Sequence, residues 1–155
     1  TPTMTFFNNT SIMAEKDSWI TVPTVDDSGN TIIVTGCTDV AKFRSRAKYS
    51  IRVEVSMPYQ SGGELGFPDD ETAKLLGDIT DAFEALLKGK NTAILTGIYT
   101  GAGRRDWVFY TFSTEVFNSF LNKALASFPQ LPLSIYAEND PEWLEYDEMR
   151  EATTM

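Results

Sequence analysis

The stretch TGAGRRDWVFY, Thr100–Tyr110, sets two glycines and two arginines in front of an aromatic run. Two different structures use that mixture. A phosphate-binding loop needs either a lysine and a serine or threonine after its last glycine, or a turn that opens directly into a helix whose N-terminus meets the phosphate. Neither condition is met, because Gly101 and Gly103 lead into DWVFYTF, Asp106–Phe112, whose aromatic and β-branched residues read as a strand. NTAILTGIY, Asn91–Tyr99, reads as a strand before it. TGAGRR is therefore the turn of a β-hairpin, with glycine supplying positive backbone angles. That reading removes a nucleotide site and leaves an antiparallel strand pair.

The elements on either side fall into place around this hairpin. Ser50–Met57 alternates without a miss, with Ile51, Val53, Val55 and Met57 on one face and Ser50, Arg52, Glu54 and Ser56 on the other, as a half-buried strand does. After the loop PYQSGGELGFP, the segment Asp69–Lys88 carries Leu76, Ile79, Phe83, Leu86 and Leu87 at helical spacing, with acids in its first turn and Lys88–Gly89 at its end. Ser113 is an N-cap for a second helix, whose stripe of Val116, Phe117, Phe120, Leu121, Ala124 and Phe128 runs until Pro129. LPLSIYA, Leu131–Ala137, is a last strand, and Pro132 suits a sheet edge. Strand, helix, strand, strand, helix, strand predicts an α+β fold: a ferredoxin-like βαββαβ sandwich, its four-stranded antiparallel sheet covered on one face by two helices. Ser18–Val25 and Asn30–Gly36 flank DDSG and predict a hairpin added to an edge of that sheet.

With 155 residues the chain is read as one domain: an N-terminal hairpin and extension over 1–49, the core over 50–137 and an acidic tail over 138–155. No stretch approaches the roughly 18 apolar residues of a membrane span. TPTMTFFNNT has neither a basic start nor a long apolar segment, so the N-terminus reads as processed or truncated. A lone Cys37 cannot form an intramolecular disulfide and points to a reducing, cytoplasmic setting. The formal charge of −9 works against nucleic acid and favours a partner with a basic surface. Seven carboxylates against Arg150 fill Glu138–Glu151, whereas Lys42–Arg52 holds five of the thirteen basic residues and reads as a solvated strand and loop face.

There is no histidine, which removes histidine-based nucleophile pairs, histidine zinc sites and the commonest general base near neutral pH. With one cysteine, thiolate clusters go too, and neither a metal nor a cofactor is expected. Asp69, Asp70 and Glu71 stand where a helix N-terminus favours negative charge and read as capping. DDSGN, Asp26–Asn30, lacks the spacing and closing glutamate of a calcium loop and reads as a turn. In DPEWLEY, Trp143 and Tyr146 stand three apart and read as a helical turn folding back on one end of the core; a peptide-docking strip is the alternative. Arg104 and Arg105 are expected to pair with Asp140 or Glu142 in that ending, and an anion site at the same arginines is the alternative.

Taken together, the strand leading to MPYQSGGELGFPDDETAKLLGDITDAFEALL, then TGAGRRDWVFYTF, then ENDPEWLEY resemble the bacterial family catalogued as domain of unknown function 695. The resemblance covers roughly Ser50–Glu148, with a start near Trp19, and rests on Gly66 and Pro68, Gly103–Arg105, Phe109–Tyr110, Asp140, Trp143 and Tyr146. It implies an association of some members with domains similar to the regulator of ribonuclease activity B, an acidic inhibitor that binds a ribonuclease. It supplies no reaction. The expected function is a non-catalytic, acidic protein-interaction or regulatory module. The competing expectation is a small-ligand- or anion-binding protein, or an enzyme, with a pocket of Arg104, Arg105, Tyr110, Asp140, Trp143 and Tyr146. A third reading, single-stranded RNA stacked on the sheet, requires Trp107, Phe109 and Tyr110 to be exposed.

Overall fold

The computed structural model describes residues 19–38, 48–61, 63, 66–88, 90 and 92–153. The N-terminal stretch TPTMTFFNNT, residues 42–47 of the basic segment and Gly89 lie outside the described residues. In chain order the elements are β1 (Trp19–Val25), β2 (Thr31–Cys37), β3 (Ile51–Pro58), α1 (Asp70–Leu87), β4 (Ala93–Gly101), β5 (Arg104–Thr111), α2 (Thr114–Ala124), β6 (Ser134–Asn139) and α3 (Leu144–Thr153). The strands form one sheet in the order β1-β2-β4-β5-β3-β6, with every neighbouring pair antiparallel.

Local chemistry accounts for the punctuation. Asp69 caps α1, its Oδ1 accepting from the Thr72 amide at 2.8 Å, and Ser113 caps α2 through the Val116 amide at 3.3 Å. The turn at 26–30 is held by Asp26, whose Oδ1 accepts from the Ser28 and Asn30 amides at 2.9 and 2.8 Å, so that carboxylate is used by its own loop. Between β4 and β5 the turn is two residues long: Ala102 at φ 53° and Gly103 at φ 76° both take the left-handed backbone that such hairpins need. The loop before α1 docks onto this turn. The Gly103 amide donates to Gly66 O at 2.9 Å, and a side chain at Gly66 would meet the Ala102 backbone at 2.9 Å. That close approach is why the glycines of GELGFP and TGAGRR go together.

Register sorts the side chains into two faces. Val53, Val55 and Met57 of β3 stand opposite Phe109, Trp107 and Arg105 of β5. This face is covered by α1 and α2, which pack on each other. Phe83 of α1 meets Trp107 and Phe109 edge-on, each with centroids 5.4 Å apart, while Phe117 and Phe120 of α2 close around Phe109. The buried Trp107 indole is satisfied by Thr80 Oγ1 at 2.8 Å. On the other face Tyr110 stacks on Trp143, and α3 lies across β1 and β2.

The fold is thus mixed α+β, as expected, but the strand order and helix count differ from a four-stranded ferredoxin-like sandwich with one covered face. Hairpin β1–β2 continues the sheet through β2–β4 pairing, and the acidic ending is structured: Glu138 and Asn139 finish β6, and after a turn Leu144–Thr153 is a helix on the second face. The Arg52 face is consequently not solvated, since Arg52 is buried. Trp107, Phe109 and Tyr110 are fully buried, which leaves no aromatic platform for RNA bases there. No described helix is long and apolar enough to cross a membrane.

Phe83→Ala should lower stability by about 3–5 kcal/mol, because it empties the centre of the aromatic cluster. Ile135→Thr, on the exposed edge strand β6, should stay within about 0.5 kcal/mol. Denaturant melts of the two variants test this; similar losses would contradict the placement of the core.

Candidate functional site

Alternation along β5 decides what the predicted site residues can do. Arg105, Trp107 and Phe109 point to the α1–α2 face, and Arg104, Asp106, Val108 and Tyr110 to the α3 face. The two arginines therefore diverge and cannot share an anion. Arg105 donates from Nε to Thr100 Oγ1 at 2.9 Å and lies over the Trp107 ring; burial lowers its pKa to about 10, which leaves it charged at neutral pH. Arg104 Nε sits 3.0 Å from Asp106 Oδ1. The expected pairing of Arg104 or Arg105 with Asp140 or Glu142 is not formed, because each arginine is engaged on its own hairpin.

The other four predicted residues do come together. Asp140 is buried and acts as the cap of α3: Oδ1 accepts from the Leu144 amide at 2.9 Å and Oδ2 from the Glu145 amide at 3.1 Å. Tyr110 donates to the same Oδ2 at 2.7 Å, and its hydroxyl oxygen accepts from the Tyr146 amide at 3.3 Å. Burial first, then the Asp140 carboxylate, push the Tyr110 phenol far above its ordinary pKa, so it remains the donor. Trp143 stacks on Tyr110 with centroids 4.1 Å apart and donates from Nε1 to Tyr49 O at 2.8 Å; Tyr146 donates to Cys37 O at 2.9 Å. Trp143 holds φ at 58°, a strained backbone costing about 1–3 kcal/mol that these contacts offset. Every polar atom named here is spent within the chain, and Tyr110, Trp143 and Tyr146 are fully buried. The four residues clasp α3 to the sheet.

What the clasp creates lies beside it. Between α3 and the sheet is a cleft of about 370 Å³, walled by Arg52, Glu54, Tyr99, Arg104, Asp106 and Val108 below and Glu145, Glu148 and Met149 above. Arg52 Nη1 donates to Glu54 Oε2 at 2.6 Å and Glu138 Oε2 at 3.3 Å, while its Nε, buried, has no hydrogen-bond partner. Burial opposes the Arg52 charge, but Glu54 outweighs it and the pKa is raised. Asp106 is mostly buried too, and although Arg104 is close to its Oδ1, the two are not aligned for a hydrogen bond. Burial raises the Asp106 pKa more than the Ser56 hydroxyl and Arg104 lower it. Burial also raises the phenol of Tyr99, to about 12, so this side chain adds no charge to the cleft. Glu145 is raised by partial burial and by Glu148 beside it.

Sequence reasoning placed Arg52 and Glu54 on a solvated face and passed over Tyr99 and Asp106. The available signal was charge at every second position on two strands, Arg52–Glu54 and Arg104–Asp106, which becomes a site only once β3 is known to pair with β5. Among the described residues, no three histidine, cysteine or carboxylate side chains are grouped as metal ligands.

Trp143→Ala should cost about 3–5 kcal/mol of stability. Tyr110→Phe, which removes a hydrogen bond to a charged group, should cost about 1.5–3 kcal/mol. Exposed Glu142→Gln should change stability by less than about 0.5 kcal/mol. Thermal and denaturant melts measure all three, and a Trp143→Ala protein as stable as the parent would rule out the clasp.

Comparison with curated proteins and with solved structures gave no significant match. The match over residues 17–149 takes in all six strands, the clasp and every cleft residue named above, and by it the chain belongs to the family of unknown function DUF695.

Proposed function

We propose that the chain is a non-catalytic interaction module that holds a basic segment of another protein in the cleft between α3 and the sheet. The observation that carries this reading is the position of Glu145 and Glu148. The clasp buries the aromatic side of α3 and leaves these two carboxylates exposed at the rim of a cleft whose floor adds Glu54 and Asp106. Four carboxylates thus line the cleft against two guanidiniums, of which Arg52 is already committed to Glu54 and Glu138. Charges fixed on a docked helix steer a cationic partner and set its register more than they add raw affinity. A pocket made of Tyr110, Asp140, Trp143 and Tyr146 has less support, since those groups satisfy one another. The ferredoxin-like reading is kept for the segment β3-α1-β4-β5-α2-β6, supported by its antiparallel strand order β4-β5-β3-β6. The two N-terminal strands and α3 are then additions that make the cleft.

A fluorescently labelled oligo-arginine peptide, followed by anisotropy, tests the proposal. Glu145→Gln with Glu148→Gln should weaken binding about five- to tenfold at low salt, with the gap closing as salt rises. Asp70→Asn with Glu71→Gln removes the same charge from the exposed start of α1 and should change binding less than about twofold. Equal effects of the two pairs would show attraction to net charge alone and overturn the reading.

A further inference from the structure

β6 is an edge of the described sheet, with β3 on one side and no described strand on the other. Its register gives the direction of every main-chain group. The Asp140 amide donates to Ser50 O at 2.7 Å, so Ser50–Asp140 is a hydrogen-bonded pair, and such pairs recur at every second residue of an antiparallel ladder. Ser134, Tyr136 and Glu138 therefore bond to Ser56, Glu54 and Arg52. The amides and carbonyls of Ile135, Ala137 and Asn139 point away from the sheet, and all three residues are exposed. No described segment pairs with them.

The opposite edge of the sheet is built differently. At the end of β1 the Asp26 amide donates to Asn30 O, which by the same alternation turns Thr21, Pro23 and Val25 outward. Pro23 has no amide to offer there, and proline at such a position is one way in which sheets stop a further strand from adding. β6 carries no proline, and it exposes an apolar side chain on each face: Ile135, 49% exposed, on the α1–α2 side, and Tyr136, 56% exposed, on the α3 side. The one charge in the strand is answered within the chain, since Glu138 lies 3.3 Å from Arg52 Nη1 and accepts from the Tyr136 hydroxyl at 3.2 Å.

We propose that β6 pairs with β6 of a second copy of the chain, antiparallel about a two-fold axis at Tyr136. In that register Tyr136 stands opposite its own symmetry mate. Ile135 and Ala137 of each copy form hydrogen-bonded pairs with Ala137 and Ile135 of the other, which uses their outward amides and carbonyls. Apolar side chains then meet apolar ones on both faces, and Glu138 falls opposite Ser134. An axis at Ala137 would instead set Ile135 against Asn139 and Tyr136 against Glu138, and an axis at Glu138 would set two carboxylates face to face. A basic extended segment, the other occupant an acidic chain could attract, would find only Glu138 on this strand, and Arg52 already faces it. A two-fold contact of this kind closes on itself, and with Pro23 at the far edge the assembly stops at two copies. Both α3 faces then look to the same side. The cleft is left open, since its lining includes no residue of β6.

The test is analytical ultracentrifugation of the full chain over a concentration series. A pair of six-residue strands is a small interface, so dimers should form only at about 10–100 µM and the dilute chain should be monomeric. Because each copy carries a formal charge of −9, the dimer should tighten as salt rises, the reverse of a basic peptide in the cleft. Ala137→Pro removes an outward amide that no strand of its own chain uses, and should weaken dimerisation more than about tenfold while the dilute chain stays folded. Tyr136→Lys and Tyr136→Glu each place like charges across the axis, so each alone should be monomeric and an equimolar mixture should form the heterodimer. That pair decides the matter even if Ala137→Pro disturbs β6. A parent chain that stays monomeric at about 1 mM overturns the proposal. So does a folded Ala137→Pro protein that dimerises as tightly as the parent, or a Tyr136→Lys protein that still dimerises alone.

Discussion

The hydrogen bond from Tyr110 to Asp140, 2.7 Å long and buried, joins the middle of the sheet to the cap of the last helix. Asp140 can hold α3 only because its carboxylate has a second task, accepting from the first amides of that helix, which would otherwise lie unsatisfied near the sheet. Tyr110 is the donor, a phenol that burial and the Asp140 carboxylate hold still more firmly protonated. Trp143, stacked on the same ring and strained in its backbone, ties the entry of the helix to Tyr49. Remove the Tyr110–Asp140 link, and the helix, its exposed carboxylates and the upper wall of the cleft lose their position together.

That constraint explains why one sheet serves two purposes. The α1–α2 face is filled by Phe83, Trp107, Phe109, Phe117 and Phe120 and supplies the core. The α3 face is only half filled: its aromatic clasp sits at one end, and charged residues from β3 and β5 occupy the rest. Charge on a half-covered face raises the question of what satisfies it. Arg52 is answered in part by Glu54 and Glu138, and Asp106 in part by Arg104, and in each case one buried atom is left over.

Much of this architecture is written locally in the chain. The alternation of Ser50–Met57, the stripes around Phe83 and Phe120, the caps at Asp69 and Ser113 and the glycine turn at Ala102–Gly103 all depend on near neighbours, and each stands as read. The ending was legible in part, since Trp143 and Tyr146 do form a turn that packs back. Which face they reach was not legible. A period-2 strand announces that two faces exist, not that a distant helix will cover the polar one, so Arg52 looked like a solvated residue. The Arg104–Arg105 dipeptide misled for the same reason: adjacent residues in a strand face opposite sides, and an ion pair within β5 satisfied Arg104 before the acidic ending could. The cleft depends on β3 lying beside β5, a pairing set by the whole sheet and not by either strand.

The central claim is that α3 is a firmly docked wall and not an acidic tail, and native-state hydrogen exchange tests it most directly. If the clasp holds, the Trp143 indole proton and the Tyr146 amide exchange only with large-scale opening, with protection within about tenfold of the central β5 amides. Exchange of both at nearly the rate of an unstructured peptide, while β5 stays protected, would contradict the account, because the cleft would then have no fixed upper wall.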